Sequence, residues 1–186
     1  LLRPEIEPQR AQIITLAAAV AVVQGLKPVL GDRAKVKWPN DVLVDGKKIC
    51  GILTEMSCEM ENINYLVLGI GINVNHSLED FPEDIQGIAS SMRLIMNRKE
   101  ELDRVPIIIS ILEAFEELYL LILEGKTDKV IGNWRNFSAT LGKEVRVKSV
   151  NSELCGVARD ITDDGVLLLE DSSGRIHRIL SGEVLF

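Results

Sequence analysis

The chain is predicted to be α/β (α+β), a mixed sheet with helices on one side followed by a small β-barrel, and three observations predict it. Two long segments have helical character: residues 9–24 are rich in alanine, and residues 105–124 repeat apolar side chains at steps of three and four. Between them, residues 35–38, 42–44, 47–56 and 64–74 alternate and are punctuated by turn residues. Beyond Ser138, five short β runs follow in quick succession, which suits a small barrel or sandwich.

Each element has a local cause. Pro8 precedes the first helix and Gly25 is read as its C-terminal stop, while Ala17, Ala18, Ala19 and Ala21 leave little bulk, so the helix can lie close to a sheet. Residues 35–38 form a short strand ended by Pro39. Residues 42–44 join 47–56 through Asp45-Gly46, a two-residue hairpin signal. A polar turn around 59–62 leads to the strand 64–74, in which Leu66, Leu68, Ile70, Ile72 and Val74 face the core. Tyr65, Val67, Gly69, Gly71 and Asn73 face the other way. A shorter helix is expected over 85–92.

The strongest helix, 105–124, buries a stripe of Ile108, Ile111, Leu112, Phe115, Leu118, Tyr119 and Ile122 before Gly125. Thr127 is positioned to cap one more helix, reaching Asn136. The terminal β runs are 144–148, 153–160, 166–170, 175–180 and 183–186, with turn signals at Asn151-Ser152, Asp164-Gly165 and 172–174. A domain boundary is placed near Ser138, giving 1–138 and 139–186.

At 186 residues with 46% hydrophobic content the chain can build an ordinary core. A net charge of -7 argues against wrapping a phosphate backbone by bulk electrostatics, so no nucleic acid is expected on this chain. The apolar segment from Ala11 to Val23 is interrupted by Gln12 and reads as a buried helix; no membrane span or cleavable leader is expected, and the default location is cytoplasmic. Three cysteines without C-x-x-C spacing and two histidines support neither a disulfide framework nor a structural zinc site. Cys50 reads as a packing residue, Trp38 and Trp134 as core or interface anchors, and His76 and His177 as surface residues.

Two segments concentrate chemistry. The first is K-W-P-N-D-V-L-V-D-G-K-K-I-C-G-I-L-T-E, from Lys37 to Glu55, which combines positive charge, a rigid turn and a hairpin. Alternation sends Lys47 and Lys48 to opposite faces, so only one looks inward. Asn40 and Asp41 can each close a turn onto main-chain amides. The second is L-V-L-G-I-G-I-N-V-N, from Leu66 to Asn75, where glycines at 69 and 71 would let a ligand press against backbone. A dinucleotide fingerprint fails here, because Val74 stands where its third glycine would be.

Together these segments resemble the catalytic core of the biotin protein ligases, which adenylate biotin and pass it to a carrier-protein lysine. The resemblance implies that Lys48 is the active-site lysine contacting the biotin carboxylate and the adenylate phosphate, with Gly69 and Gly71 shaping the biotin pocket. It implies ATP contacts from Lys37, Asn40, Asp41, Asn73 and Arg104, with Mg²⁺ accompanying ATP near Asp41. The substrates implied are ATP and biotin, the partners a biotin carboxyl carrier protein and a second copy of the chain at a sheet edge. The terminal barrel is expected to be of the Src-homology type. Family members carry a glycine- and arginine-rich biotin loop ahead of the equivalent of Leu1, so the chain is expected to be the C-terminal portion of a ligase, inactive alone. The alternatives are a lipoate-protein ligase relative and a non-catalytic binding module presented by the barrel.

Overall fold

The computed structural model describes residues 1–59, 62–149 and 153–186. The turn expected at Asn151-Ser152 lies outside the described residues. Helix α1 (Gln12–Leu30) is apolar on every face and correspondingly buried. It is long and apolar enough to cross a membrane by length and composition, yet here it is the central core helix. Gly25 does not stop it. A Cβ at Gly25 would fall 2.5 Å from Ile111 Cγ1 and 2.8 Å from Ile111 Cα, so this glycine is where two helices cross in near contact. The helix instead ends at Gly31, whose φ of 61° suits a residue without Cβ.

Strands β1 (Ala34–Lys37), β2 (Asp41–Val44), β3 (Lys47–Glu59) and β4 (Asn62–Ile72) form an antiparallel meander in that order. Asp45 and Gly46, both with positive φ, make the β2–β3 turn as their residue types predicted. Among the described residues, parallel pairing is confined to two isolated bridges, Val36 with Ser138 and Lys48 with Ala89. Helix α1 packs on this sheet through β1, β2 and β3. One contact is a 2.7 Å hydroxyl pair between Thr15 and Thr54.

The helix expected over 85–92 is not formed. The backbone there is committed to the sheet: the Lys48 N–H donates to Ile88 O at 2.8 Å, and the Ser90 N–H donates to Lys48 O at 2.9 Å. The short helix α2 (Met92–Ile95) starts only after Ser91, whose Oγ accepts from the Leu94 N–H. Helix α3 (Arg104–Leu123) packs on α1, and its buried stripe is Ile107, Ile111, Leu118 and Ile122. Ile108 and Leu112 are exposed, contrary to the expected stripe. The rest of the expected stripe holds: Ile111, Leu118 and Ile122 are buried, Phe115 and Tyr119 pack partly buried against the core, and the close approach of Gly25 to Ile111 fixes this face inward.

Helix α4 (Thr127–Phe137) follows, with Lys126 at its N-cap position and no side-chain cap. The Thr127 hydroxyl accepts instead from Arg10 Nη2 at 3.2 Å. The last five strands, β5 (Glu144–Lys148), β6 (Glu153–Ile161), β7 (Leu167–Glu170), β8 (Ile176–Ile179) and β9 (Glu183–Leu185), form an antiparallel sheet in the order β8-β7-β6-β5-β9. Val145, Val147, Ala158, Ile161, Leu167, Leu169 and Val184 fill its interior, as a small barrel requires. His177 is paired with Asp171 at 2.6 Å and partly buried, where a plain surface residue was expected.

Candidate active site

The link between β1 and β2 is fixed from below. Trp38 is fully buried, its indole N–H donating to Gly165 O at 3.0 Å and its backbone N–H to Thr140 Oγ1 at 3.0 Å. The Trp38–Pro39 peptide is cis. Asn40 Nδ2 donates to Ile52 O at 2.7 Å while the Ile52 N–H donates to Asn40 O at 2.9 Å, pinning the link to β3. Lys37 and Asp41 flank this anchored link, and both side chains line one cavity.

A β-bulge aims the third charged group. Asp41 pairs with Gly51 and Val42 with Cys50, but Leu43 pairs with Lys48, so Ile49 is the extra residue on β3. An extra residue resets the alternation of side chains. Ile49 is thereby buried, and Lys48 emerges on the same face as Gly51 and Asp41. Lys47 is exposed outside the cavity.

Lys48 Nζ lies 2.6 Å from Asp41 Oδ1, and Lys37 Nζ lies 4.0 Å from Asp41 Oδ2. The Lys48 approach is off hydrogen-bond geometry, so the buried Oδ1 has an ion-pair partner and no hydrogen bond. Such a group is under-satisfied, and a ligand that draws Lys48 away meets a weakly directed contact. Lys48 is 47% exposed whereas Lys37 and Asp41 are 15% and 16% exposed, so Lys48 is the group with freedom to reach a ligand.

The cavity holds about 710 Å³, within the range of small-molecule sites. Gly51 and Gly71 pair across β3 and β4 and leave part of its floor bare. Asn73 sits beside them, its backbone N–H donating to Ile49 O at 2.8 Å. The segment docked against Lys48 supplies an apolar wall of Pro82, Ile85, Ile88 and Ala89. Phe81 is near the His76 ring, with centroids 5.7 Å apart. Glu183, Leu185 and Phe186 approach from the barrel. Cys50 lines the cavity too, but burial first, and the Asp41 charge second, push its thiol up to about 12, so it is no nucleophile at neutral pH.

Of the residues singled out from sequence, the structure brings together Lys37, Asp41, Lys48, Gly71 and Asn73. Asn40 spends its amide on Ile52. Gly69 lies on the same sheet face as Gly71 but outside the cavity lining, and Arg104 is exposed at the first turn of α3, also outside it. Sequence reasoning missed Gly51, although its spacing from Lys48 was in plain view, because only the bulge puts them on one face. It also missed Phe186, which no local signal marks.

Two family models match the chain: the Biotin/lipoate A/B protein ligase family over residues 1–73, and the Biotin protein ligase C terminal domain over residues 140–186. The chain belongs to the biotin protein ligase family. It is 39% identical over 184 residues to the bifunctional ligase/repressor BirA of Bacillus subtilis, covering 99% of this chain and 56% of that protein. It is 31% identical over 178 residues to the biotin--[acetyl-CoA-carboxylase] ligase of Mycobacterium tuberculosis, covering 92% of this chain and 61% of that protein. The chain thus spans little more than half the length of these relatives. Among solved biotin protein ligases, the apo enzyme of Aquifex aeolicus superposes with a TM-score of 0.81 at 27% identity, covering 96% of this chain and 76% of that one. The complex of that ligase with biotin and ATP superposes with a TM-score of 0.79 at 26% identity, covering 97% and 74%.

Proposed function

We propose that the protein to which these residues belong is a biotin protein ligase: it joins biotin to the α-phosphate of ATP, releasing pyrophosphate, and then passes biotin to a lysine of a biotin carboxyl carrier protein. The observation that carries this reading is the convergence of Lys48, Lys37 and Asp41 at one side of a cavity whose floor is bared by Gly51 and Gly71. In the first step a biotin carboxylate oxygen attacks the α-phosphorus, so two anions must meet, and fixed ammonium groups offset that repulsion and the charge growing on phosphate. Lys48 is assigned the biotin carboxylate and α-phosphate, and Lys37 the phosphates. Asp41 holds the two lysines in place until the ligand takes over. In the second step the carrier amine, as free base, attacks the anhydride carbonyl and AMP leaves.

Among the described residues no three His, Cys, Asp or Glu side chains gather as a metal cage, and Asp41 is already paired with Lys48. Mg²⁺ is accordingly taken as part of the MgATP substrate, its coordination completed by phosphates and water, with Asp41 the nearest carboxylate to help. Asn73 is assigned to the adenylate and Gly71 to the biotin entry. Asn40 acts through the link it pins. Gly69 is assigned to biotin and Arg104 to the ATP phosphates, both from outside the cavity lining. Residues 1–138 are taken as catalytic-domain sequence and 139–186 as the barrel, with the reaction in the cytoplasm. A second copy at a sheet edge is the assembly proposed.

The test uses the full-length parent with biotin and MgATP. Biotin-dependent pyrophosphate release, biotinyl-AMP in the quenched reaction, and one labelled lysine on a carrier domain are expected. Release that lipoate supports as well as biotin, or no release at all, would overturn the reading.

A further inference from the structure

Both main-chain polar groups of Lys48 are taken by the segment that walls the cavity: its N–H donates to Ile88 O at 2.8 Å and its carbonyl accepts from the Ser90 N–H at 2.9 Å. We propose that Ser91, which ties that segment down, is a positioning residue for the adenylation step, its hydroxyl keeping residues 88–90 against Lys48 and so holding the direction in which the lysine enters the cavity. This rests on the ligase reading above and adds to it a residue outside the cavity lining.

The lysine stands where the sheet is weakest. Burial of Ile49 chooses the bulged register, but a bulge interrupts the ladder locally, and Lys48 is the residue next to the interruption. Pairing of β4 with β3 ends at Cys50 opposite Ile72, and beyond it the Asn73 N–H reaches Ile49 O at 2.8 Å. Residues 88–90 then take the place of β4 along this edge, with Lys48 and Ala89 as a parallel bridge. Their two hydrogen bonds fall on Lys48 itself and fix its backbone.

Ser91 holds that brace in place. It is fully buried, and its Oγ donates to His76 O at 2.6 Å while accepting from the Leu94 N–H at 3.2 Å. His76 lies just past β4 and Ser91 just past the brace, so this hydroxyl closes the neck of the loop 76–91. Backbone bonds run beside it, Met92 N–H to Asn73 O and Arg93 N–H to Val74 O, both at 2.9 Å. Asn75 adds a further tie, donating through Nδ2 to Leu102 O at 3.0 Å and accepting from the Leu102 N–H at 2.9 Å. Asn75, Ser90 and Ser91 are all buried, and buried polar groups are costly unless bonded, so this neck is a specified junction. Removing the Ser91 hydroxyl frees the loop one residue away from the bond that Ser90 makes to Lys48 O.

The experiment follows biotinyl-AMP formation in a single turnover of the full-length parent at saturating biotin and MgATP, alongside Ser91→Ala, Ser91→Thr, Lys48→Ala and the Ser91→Ala/Lys48→Ala double variant. Ser91→Ala is expected to lower the rate constant about three- to tenfold, the scale on which one buried hydrogen bond shifts an equilibrium, while Ser91→Thr, which keeps the hydroxyl, stays within about twofold of the parent. Because Ser91 acts through Lys48, its alanine should cost less than about twofold more once the lysine is gone. Partial unfolding lowers the amplitude and leaves the rate constant alone, so a merely structural role is told apart. An alanine variant as fast as the parent would overturn the proposal, as would a threonine variant as slow as the alanine, or the full cost of Ser91→Ala persisting in the Lys48→Ala background. A parent that forms no biotinyl-AMP removes the ligase reading and this inference together; one that forms it with additive losses removes this inference alone.

Discussion

Lys48 lies over Gly51: a Cβ built on the glycine would come 3.3 Å from Lys48 Cε and 3.4 Å from its Nζ. The glycine is therefore the seat of the lysine. Gly51→Ala should fold, because the far end of a flexible chain can yield, but it should displace the ammonium from its place beside Asp41. Displacing a reacting group by an ångström can cost up to ~100-fold, so a loss on the order of tenfold or more in biotin-dependent pyrophosphate release is expected, at an unchanged melting temperature. An alanine variant of full activity would show that the seat does not matter.

The two neighbouring lysines should behave differently. Lys48→Ala in the full-length parent should depress biotinyl-AMP formation by roughly two to three orders of magnitude, the scale of losing one preorganised charge stabiliser. Lys47→Ala, outside the cavity, should do little. Equal losses in a pyrophosphate-release assay would refute the aim given by the bulge at Ile49.

Gly71 offers space, since a Cβ there would meet only Gly51 O at 3.7 Å. Gly71→Val should leave the strand intact, as β-branched residues suit it, and fill the cavity floor. Circular dichroism and biotin titration on one sample decide the matter; unchanged affinity would remove this glycine from the pocket.

How much of this could be read beforehand is clearest along β3 and β4. Alternation over Leu66–Ile72 and the Asp45-Gly46 turn are local properties, and both were legible. The bulge was not, because no residue type in K-K-I-C-G demands one; the inward lysine came from resemblance, and the geometry that explains it came from the register. Gly25 misled for a related reason: a glycine that ends a helix and one that lets two helices touch look alike until the partner, Ile111, is known. On α3 the periodicity picked out Ile111, Leu118 and Ile122 correctly and erred at Ile108 and Leu112, which are exposed. The approach of Phe186 to Lys37 joins residues far apart in the chain, and nothing local could announce it.

Gly25→Ala should accordingly be among the more destabilising single-methyl changes in the molecule. Its Cβ would strike both the side chain and the backbone of Ile111. Overpacking of this kind costs about 1–3 kcal/mol, a loss of several degrees in a thermal melt. An unaltered melt would mean that α1 and α3 separate more easily than their packing implies.

Cysteine chemistry gives an independent check on the site's interior. With its thiol raised from 9.0 to about 12, Cys50 should resist iodoacetamide at pH 8, while the exposed Cys58 and Cys155 react. Because the folded state disfavours the thiolate, the contribution of Cys50 to stability is whole below about pH 9 and declines as pH rises towards about 12. Cys50→Ala should therefore lose less stability than the parent between pH 8 and pH 10 in urea titrations. Rapid labelling of Cys50 in the native protein would show that water reaches behind Lys48.

Trp38 ties the link between β1 and β2 to the barrel. Its indole is buried beneath the segment that carries Lys37 and Asp41, yet its N–H is answered by a carbonyl in a barrel turn, at Gly165. If the barrel opened, that donor would be stranded in an apolar interior and the floor beneath the phosphate-facing lysine would loosen with it. The barrel is thus less an appendage than a keystone. Swapping it for a homologous one should succeed only when the incoming turn presents an acceptor at the same spot.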